Sequence, residues 1–167
     1  MGQRLWHFKV SNINMIKTNF ESSNEYQQYY NMALKLFDDS VYAKYLEKDS
    51  EELVKFMEIC KRGSNKYFLG FYVEDNIVQG IMAGEVFKRP FMKEIVASDL
   101  FIYVADDFRG KAVAGKELLK CYEHEATKRG AKLLFVAANT GINTDGTKQF
   151  FEKNSYVEYG TNYMRKA

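Results

Sequence analysis

The sequence predicts an α+β fold, and two observations carry that expectation. Apolar residues first recur at helical spacing over two segments, then change at Asn65 to the short, alternating pattern of strands. The resulting order is helix, helix, strand, strand, strand, helix, strand, helix, strand. That order lacks the regular strand-helix alternation of a doubly wound parallel sheet.

The elements follow in chain order. LWHFKV, residues 5–10, has the aromatic content of a strand. From Asn24, NEYQQYYNMALKLFDD sets Tyr26, Tyr29, Tyr30, Ala33 and Phe37 three and four residues apart, which is one helical face. A second helix opens at Ser50 and runs to about Lys61, with Leu53, Phe56, Met57 and Cys60 in one stripe and Gly63 as its stop. YFLGFYV and IVQGIMAGEVF then flank Asp75-Asn76, the residue pair of a tight hairpin turn. Past Pro90, a strand from about Glu94 to Val104 alternates Ser98, Leu100, Ile102 and Val104 against Asp99, Phe101 and Tyr103. Both faces are largely apolar near its end, as expected of a central strand.

A helix is expected from about Gly110 to Gly130, with Ala114, Leu118 and Tyr122 at four-residue steps. KLLFVAAN is a strand, TKQFFEKN a short helix and YVEYGTNYM a closing strand. With one proline and no low-complexity block, the 167 residues are expected to form one domain.

The 24 Lys+Arg and 22 Asp+Glu leave a net charge of +2, too balanced to draw nucleic acid by bulk charge. Residues 133–138, LLFVAA, are the longest apolar run, far short of the roughly 20 residues that cross a bilayer. No signal peptide is visible at the N-terminus, so a soluble, cytoplasmic protein is expected. Cys60 and Cys121 fall in helices and are expected to be reduced, and His124-Glu125 lacks the second histidine of HExxH. No metal site is expected.

The segment RGKAVAGKE, residues 109–117, nearly spells the phosphate loop GxxxxGK[ST] of nucleotide hydrolases. Glu117 stands where that loop needs a hydroxyl for magnesium, and only about 50 residues follow it. A different phosphate device fits better. A helix N-terminus offers unpaired N–H groups and a favourable dipole, small residues admit a pyrophosphate, and Arg109 can pair with it.

YVADDFRGKAVAGKELL resembles motif A of the GNAT superfamily of N-acetyltransferases, Arg/Gln-x-x-Gly/Ala-x-Gly/Ala, with Arg109, Ala112 and Ala114 in the signature positions. LLFVAAN with Asn139, and FFEKNSY, residues 150–156, resemble two further phrases of that family. The resemblance implies a three-layer fold with a mixed, mostly antiparallel central sheet flanked by helices. It implies acetyl transfer from acetyl-CoA, as co-substrate and without metal, to a primary amine. Arg109, Gly110, Lys111, Ala112, Ala114, Gly115 and Lys116 would then cradle the pyrophosphate. The main chain of Ile102, Tyr103 and Val104 would bind the pantetheine arm, with Asn139 on the opposite side and Phe151 near the sulfur.

Chemistry sets two requirements. An amine of pKa about 10 must lose a proton to attack, so a base is needed, and Asp99 and Glu85 are the candidates. The family's general-acid tyrosine falls at Phe151, which cannot donate a proton. A thiol of pKa about 8.5 can leave without full protonation near neutrality, and Tyr103, Tyr156, Tyr159 and Tyr163 are alternative acids. The rival expectation, favoured by Phe151, is a catalytically silent protein of the same fold that binds CoA or a protein partner. The acceptor, small molecule or protein, is not selected by any residue, and a homodimer is left open.

Overall fold

The computed structural model describes residues 15–110, 113–160 and 163–165. Its sheet has five strands in the order β1-β2-β3-β4-β5: Met15–Lys17, Tyr67–Glu74, Ile77–Phe87, Val96–Val104 and Leu133–Phe135. The first four pair antiparallel, and β5 joins β4 in parallel. Four α-helices flank this mixed, mostly antiparallel sheet.

Helices α1 (Ser23–Asp39) and α2 (Ser50–Lys61) start at side-chain caps. Ser22 accepts the Glu25 N–H at 3.1 Å. Asp49, one residue before the expected start, accepts the N–H groups of Glu51 and Glu52. Both helices cover one face of the sheet, where Tyr29, Met57, Phe71, Ile81 and Tyr103 form a buried cluster. The fully buried Tyr29 satisfies its hydroxyl by donating to the Met82 carbonyl at 3.0 Å.

Helices α3 (Val113–Lys128) and α4 (Thr144–Lys153) cover the other face. There Phe68, Met82, Leu118, Leu119, Tyr122 and Phe151 pack together. The stacked rings of Phe68 and Tyr122 sit over Gly84, where an added Cβ would lie 2.5 Å from the Phe68 ring. Glycine is what lets α3 approach the sheet this closely.

The hairpin matches its expected bounds to within a residue. Asp75 and Asn76 both adopt left-handed backbone, φ 52° and 62°, as the mirror-image turn between twisted strands requires. Four sequence expectations need correction. The central strand begins at Val96 rather than Glu94, and β5 ends at Phe135 rather than Asn139. The closing strand over residues 156–164 does not form among the described residues: Val157, Tyr159, Tyr163 and Met164 stand exposed without a partner strand. Helix α4 begins at Thr144, three residues before TKQFFEKN. The strand expected at residues 5–10 lies outside the described residues, as do Lys111 and Ala112.

A β-bulge also changes the expected alternation of β4. Ala83 pairs with Phe101 and Gly84 with Asp99, so Leu100 is an extra residue. Ala97, Ile102 and Val104 all pack on the α3 side, whereas Phe101 and Tyr103 pack under α1. Asp99, two residues from Ala97, therefore shares the α3 face with Ile102 and not that of Phe101. One inserted residue has reversed the phase.

Candidate active site

The free edge of β4 organises the site. β3 pairs with β4 along its length, but β5 pairs only with Val96, Ala97 and Ser98. Beyond Ser98 the two parallel strands diverge, and the main chain of Ile102, Tyr103 and Val104 faces no strand on that edge among the described residues. Two side chains take the hydrogen bonds that strand pairing would have made. Asp99 Oδ1 accepts the Ala137 N–H at 3.1 Å, and the Tyr122 hydroxyl donates to the Phe135 carbonyl at 2.7 Å.

Asp99 is thus the first residue inside the opening. Burial pushes its carboxyl up to about 7, against the pull of the Ala137 N–H and its own N–H toward the ionised form. Its charge in turn disfavours ionisation of Tyr42, Tyr122 and Tyr156, each already raised chiefly by burial. A carboxylate that titrates near neutrality can accept a proton at the pH where an amine substrate would react.

Glu85, the other candidate base, lies elsewhere. Its neighbours Gly84 and Val86 face α3, so Glu85 faces the α2 side, where Lys66 Nζ lies 3.5 Å from its carboxylate. The two carboxylates sit on adjacent strands but do not share one cleft.

The motif residues follow in the turn after β4. Asp106–Phe108 form a single 3₁₀ turn, followed by Arg109 and by Gly110 with φ +84°, a conformation that favours glycine. Arg109 Nε donates to the Val104 carbonyl at 2.9 Å, its guanidinium stacks 5.0 Å from the Tyr103 ring, and it pairs with Asp106. Tyr103 donates its hydroxyl to Asp39 at 3.1 Å. In α3, Ala114 is buried against the sheet, Gly115 lies beside the Phe150 ring, and Lys116 is exposed.

A cleft of about 1050 Å³ opens beside β5, walled by residues 134–139, by Phe151 of α4 and by the chain after Tyr156. Asn139 is exposed on its wall. Phe151 is 8% exposed, with its ring 5.8 Å from that of Tyr156, whose hydroxyl donates to Glu123 at 3.1 Å. A separate apolar cavity of about 230 Å³ lies under α1 and α2, on the other side of the β4 bulge. Tyr42, in the 3₁₀ turn Val41–Lys44 after α1, lines both spaces. That turn is held across the opening by the Val41 N–H, which donates to the Thr140 carbonyl at 2.7 Å.

Sequence reasoning missed two of these residues. Tyr42 carries no motif and follows a helix end, so nothing in the sequence marks it. Tyr122 reads as one more apolar position of α3, and its hydroxyl's role at the strand opening appears only in three dimensions.

A model of the acetyltransferase (GNAT) family matches residues 26–156. The chain belongs to that family. Among solved structures it is similar to an aminoglycoside acetyltransferase, meta-AAC0020, from an uncultured soil metagenomic sample in complex with trehalose. The two are 17% identical, with TM-score 0.69 and coverage of 95% of this chain and 99% of that one. It is similar to glucosamine-6-phosphate N-acetyltransferase from Arabidopsis thaliana at 14% identity and TM-score 0.68, covering 92% and 97%. A third similar structure is AAC(6')-Iy in complex with the bisubstrate analogue CoA-S-monomethyl-acetylneamine, at 15% identity and TM-score 0.69, covering 93% and 99%. At such identities the likeness establishes the fold. No curated protein sequence matches the chain. Among the described residues, no helix is long and apolar enough to cross a membrane.

Proposed function

We propose that this chain is a single-domain N-acetyltransferase that moves an acetyl group from acetyl-CoA to a primary amine by direct attack. One observation carries the reading: β5 leaves β4 after Ser98, and the next residue, Asp99, is a buried carboxylate raised to about 7 whose Oδ1 holds the Ala137 N–H across the gap. Ile102, Tyr103 and Val104 pair with β3 on one edge only, so the main-chain groups on their other edge, apart from the Val104 carbonyl that Arg109 holds, suit an amide-rich arm such as pantetheine. The left-handed Gly110 and the small Ala114 and Gly115 suit a pyrophosphate beside the start of α3. Arg109 is folded onto Val104 and Tyr103 and paired with Asp106 just before α3, and Lys116 is an exposed cation near the start of that helix. Asn139 and Phe151 border the cleft on its far side.

Acetyl-CoA supplies an activated thioester. Asp99 receives the ammonium proton, directly or through one water; the neutral amine nitrogen then bonds the acetyl carbon as the carbon–sulfur bond breaks, and the nitrogen sheds its second proton to solvent. A β4 main-chain N–H is suited to the developing oxyanion. The thiolate departs with the bonding pair and takes its proton from solvent, which removes the need for a tyrosine at Phe151. Glu85, on the other face and beside Lys66, has no step here.

Thermal melting with acetyl-CoA tests binding, since ligand at about 100 times its dissociation constant adds roughly 2.7 kcal/mol. Thiol release with an amine panel, repeated on Asp99→Asn, tests chemistry. A melting shift without amine-dependent thiol release would favour the second reading, a CoA-binding protein without activity. The feature behind that reading is the buried Phe151 in place of a hydroxyl.

A further inference from the structure

We propose that the end of the sheet at the β3–β4 loop is a docking surface for an anionic phospholipid bilayer, with Phe91 as the side chain that enters the lipid. The inference concerns where the protein sits and is independent of the acetyltransferase reading.

The net charge of +2 conceals an uneven distribution. At one end of the molecule β3 ends, β4 and β5 begin, and α2 and α3 finish. That end carries Arg62, Lys88, Arg89, Lys93, Lys128 and Lys132, none of which has a carboxylate at ion-pair distance among the described residues. Its acids are mostly engaged: Glu58 pairs with Lys61, Glu85 with Lys66 and Glu125 with Arg129, which leaves Glu94. The opposite end holds the acidic Glu74-Asp75 and Asp106-Asp107 turns.

Apolar side chains stand among those cations. Phe91 is 79% exposed in the loop KRPFMK, residues 88–93, and Leu133 and Ile95 are 51% and 39% exposed. The last two are neighbours, because Leu133 pairs with Val96 and the Lys132 N–H donates to the Ile95 carbonyl at 2.9 Å. Arg89 is held beside them, with its guanidinium 5.8 Å from the Phe87 ring and 5.5 Å from the Phe135 ring. Anchored by two rings and without a carboxylate, it keeps its donors for a phosphate from outside.

Shape favours a bilayer over other polyanions. None of these cations, nor Phe91, Ile95 or Leu133, lines either cavity described above. A nucleic-acid strand needs a groove and successive stacking rings, whereas Phe91 is the one exposed ring among the described residues of this end. A basic surface carrying one ring and two aliphatic side chains suits headgroup phosphates and the acyl boundary beneath them.

The test is co-sedimentation with vesicles of phosphatidylcholine, alone or mixed with phosphatidylglycerol, at about 50 and then about 500 mM salt. We expect binding only to the anionic vesicles, and its loss at the higher salt. Lys88→Ala with Lys93→Ala should weaken it about tenfold or more, since each cation near an anionic leaflet contributes about fivefold. Phe91→Ser should weaken it about fivefold with every cation in place. Phe91→Trp in a Trp6→Phe background should bind, with indole fluorescence shifting to the blue as the ring leaves water. Lys44→Ala, an exposed cation in the turn after α1 at the other end, should bind as the parent does. The substituted side chains at 44, 88, 91 and 93 are exposed, so these variants should melt with the parent, which separates lost docking from lost folding. The inference is overturned by no binding to anionic vesicles, by equal binding to neutral ones, or by Phe91→Ser binding like the parent. Tighter binding of polyglutamate or of an oligodeoxythymidine than of anionic vesicles would also overturn it, in favour of a protein or nucleic-acid partner.

Discussion

The two ends of the sheet are built by different rules. In the meander of β2, β3 and β4, strands pair over most of their length, and side chains alternate into a cluster on each face. At the junction of β4 and β5, pairing stops after three residues, and Asp99 and Tyr122 hold the separated chains by side-chain bonds. The meander gains stability from regularity. The junction gives up strand pairing and acquires an exposed strand edge beside a titratable carboxylate. Altering each end should affect different properties, the meander mainly stability and the junction mainly rate.

The largest effect is expected at Asp99→Asn. Removing the proposed base should lower kcat/KM by about 10²- to 10⁴-fold. In the parent, kcat/KM should rise with pH and level off above about 7, as the carboxyl loses its proton. Stability should move the other way. Asp99 has a folded pKa raised from 3.8 to about 7, so the native state holds a proton that the unfolded chain has already released across that window. Stability is thus lost as pH rises from about 4 to 7, by an amount on the order of a few kcal/mol. Asparagine keeps an acceptor for the Ala137 N–H and removes that penalty. The variant should therefore be slower yet melt at a higher temperature at pH 8. Loss of both rate and stability would mark Asp99 as a structural cap alone.

Gly84→Val should disturb the meander instead. Its Cβ would enter the Phe68 ring and crowd Tyr122, with an overpacking cost of about 1 to 3 kcal/mol. Chemical denaturation should register that loss. Because Gly84 pairs with Asp99 on the same face, the added side chain should also bury that carboxyl further and move the pH at which the rate levels off upward.

Legibility in the sequence divides along the same line. The hairpin can be found from YFLGFYV, Asp75-Asn76 and IVQGIMAGEVF because each residue's environment follows from its place in an alternation. The junction hides for the opposite reason. VAAN after Phe135 and YVEYGTNYM both have strand-like composition, but a strand also needs a partner, and the divergence of β5 withdraws it. The bulge at Leu100 is equally silent, since no glycine or proline marks it. It determines which face Asp99 occupies. The turn at Arg109 and Gly110 was legible because a helix start after a strand has local chemistry. Tyr42 reaches the site only through the Val41–Thr140 contact, a pairing of distant loops.

Tyr122→Phe tests the second junction bond with a smaller change. Tyr122 is fully buried, and its loss would leave the Phe135 carbonyl without that donor, at a cost of about 1 to 2 kcal/mol. Amide exchange at residues 136–138 should quicken, while amides of the meander hold their protection. Uniform acceleration across the sheet would mean that the junction does not open on its own.

The smallest effect is expected at Glu85→Gln, and its smallness is informative. Glu85 shares a strand ladder with Asp99 through Gly84, so a sequence reading ranks the two alike. In the fold, Glu85 is about a quarter exposed, on the α2 face, with Lys66 3.5 Å away. Partly exposed pairs of this kind contribute at most about 1 kcal/mol. Glutamine should therefore change the melting temperature little, alter kcat/KM less than about threefold, and leave the pH profile in place. A rate loss rivalling that of Asp99→Asn would reverse the assignment. It would move the proton acceptor across the sheet, to the face under α1 and α2 that also holds the apolar cavity.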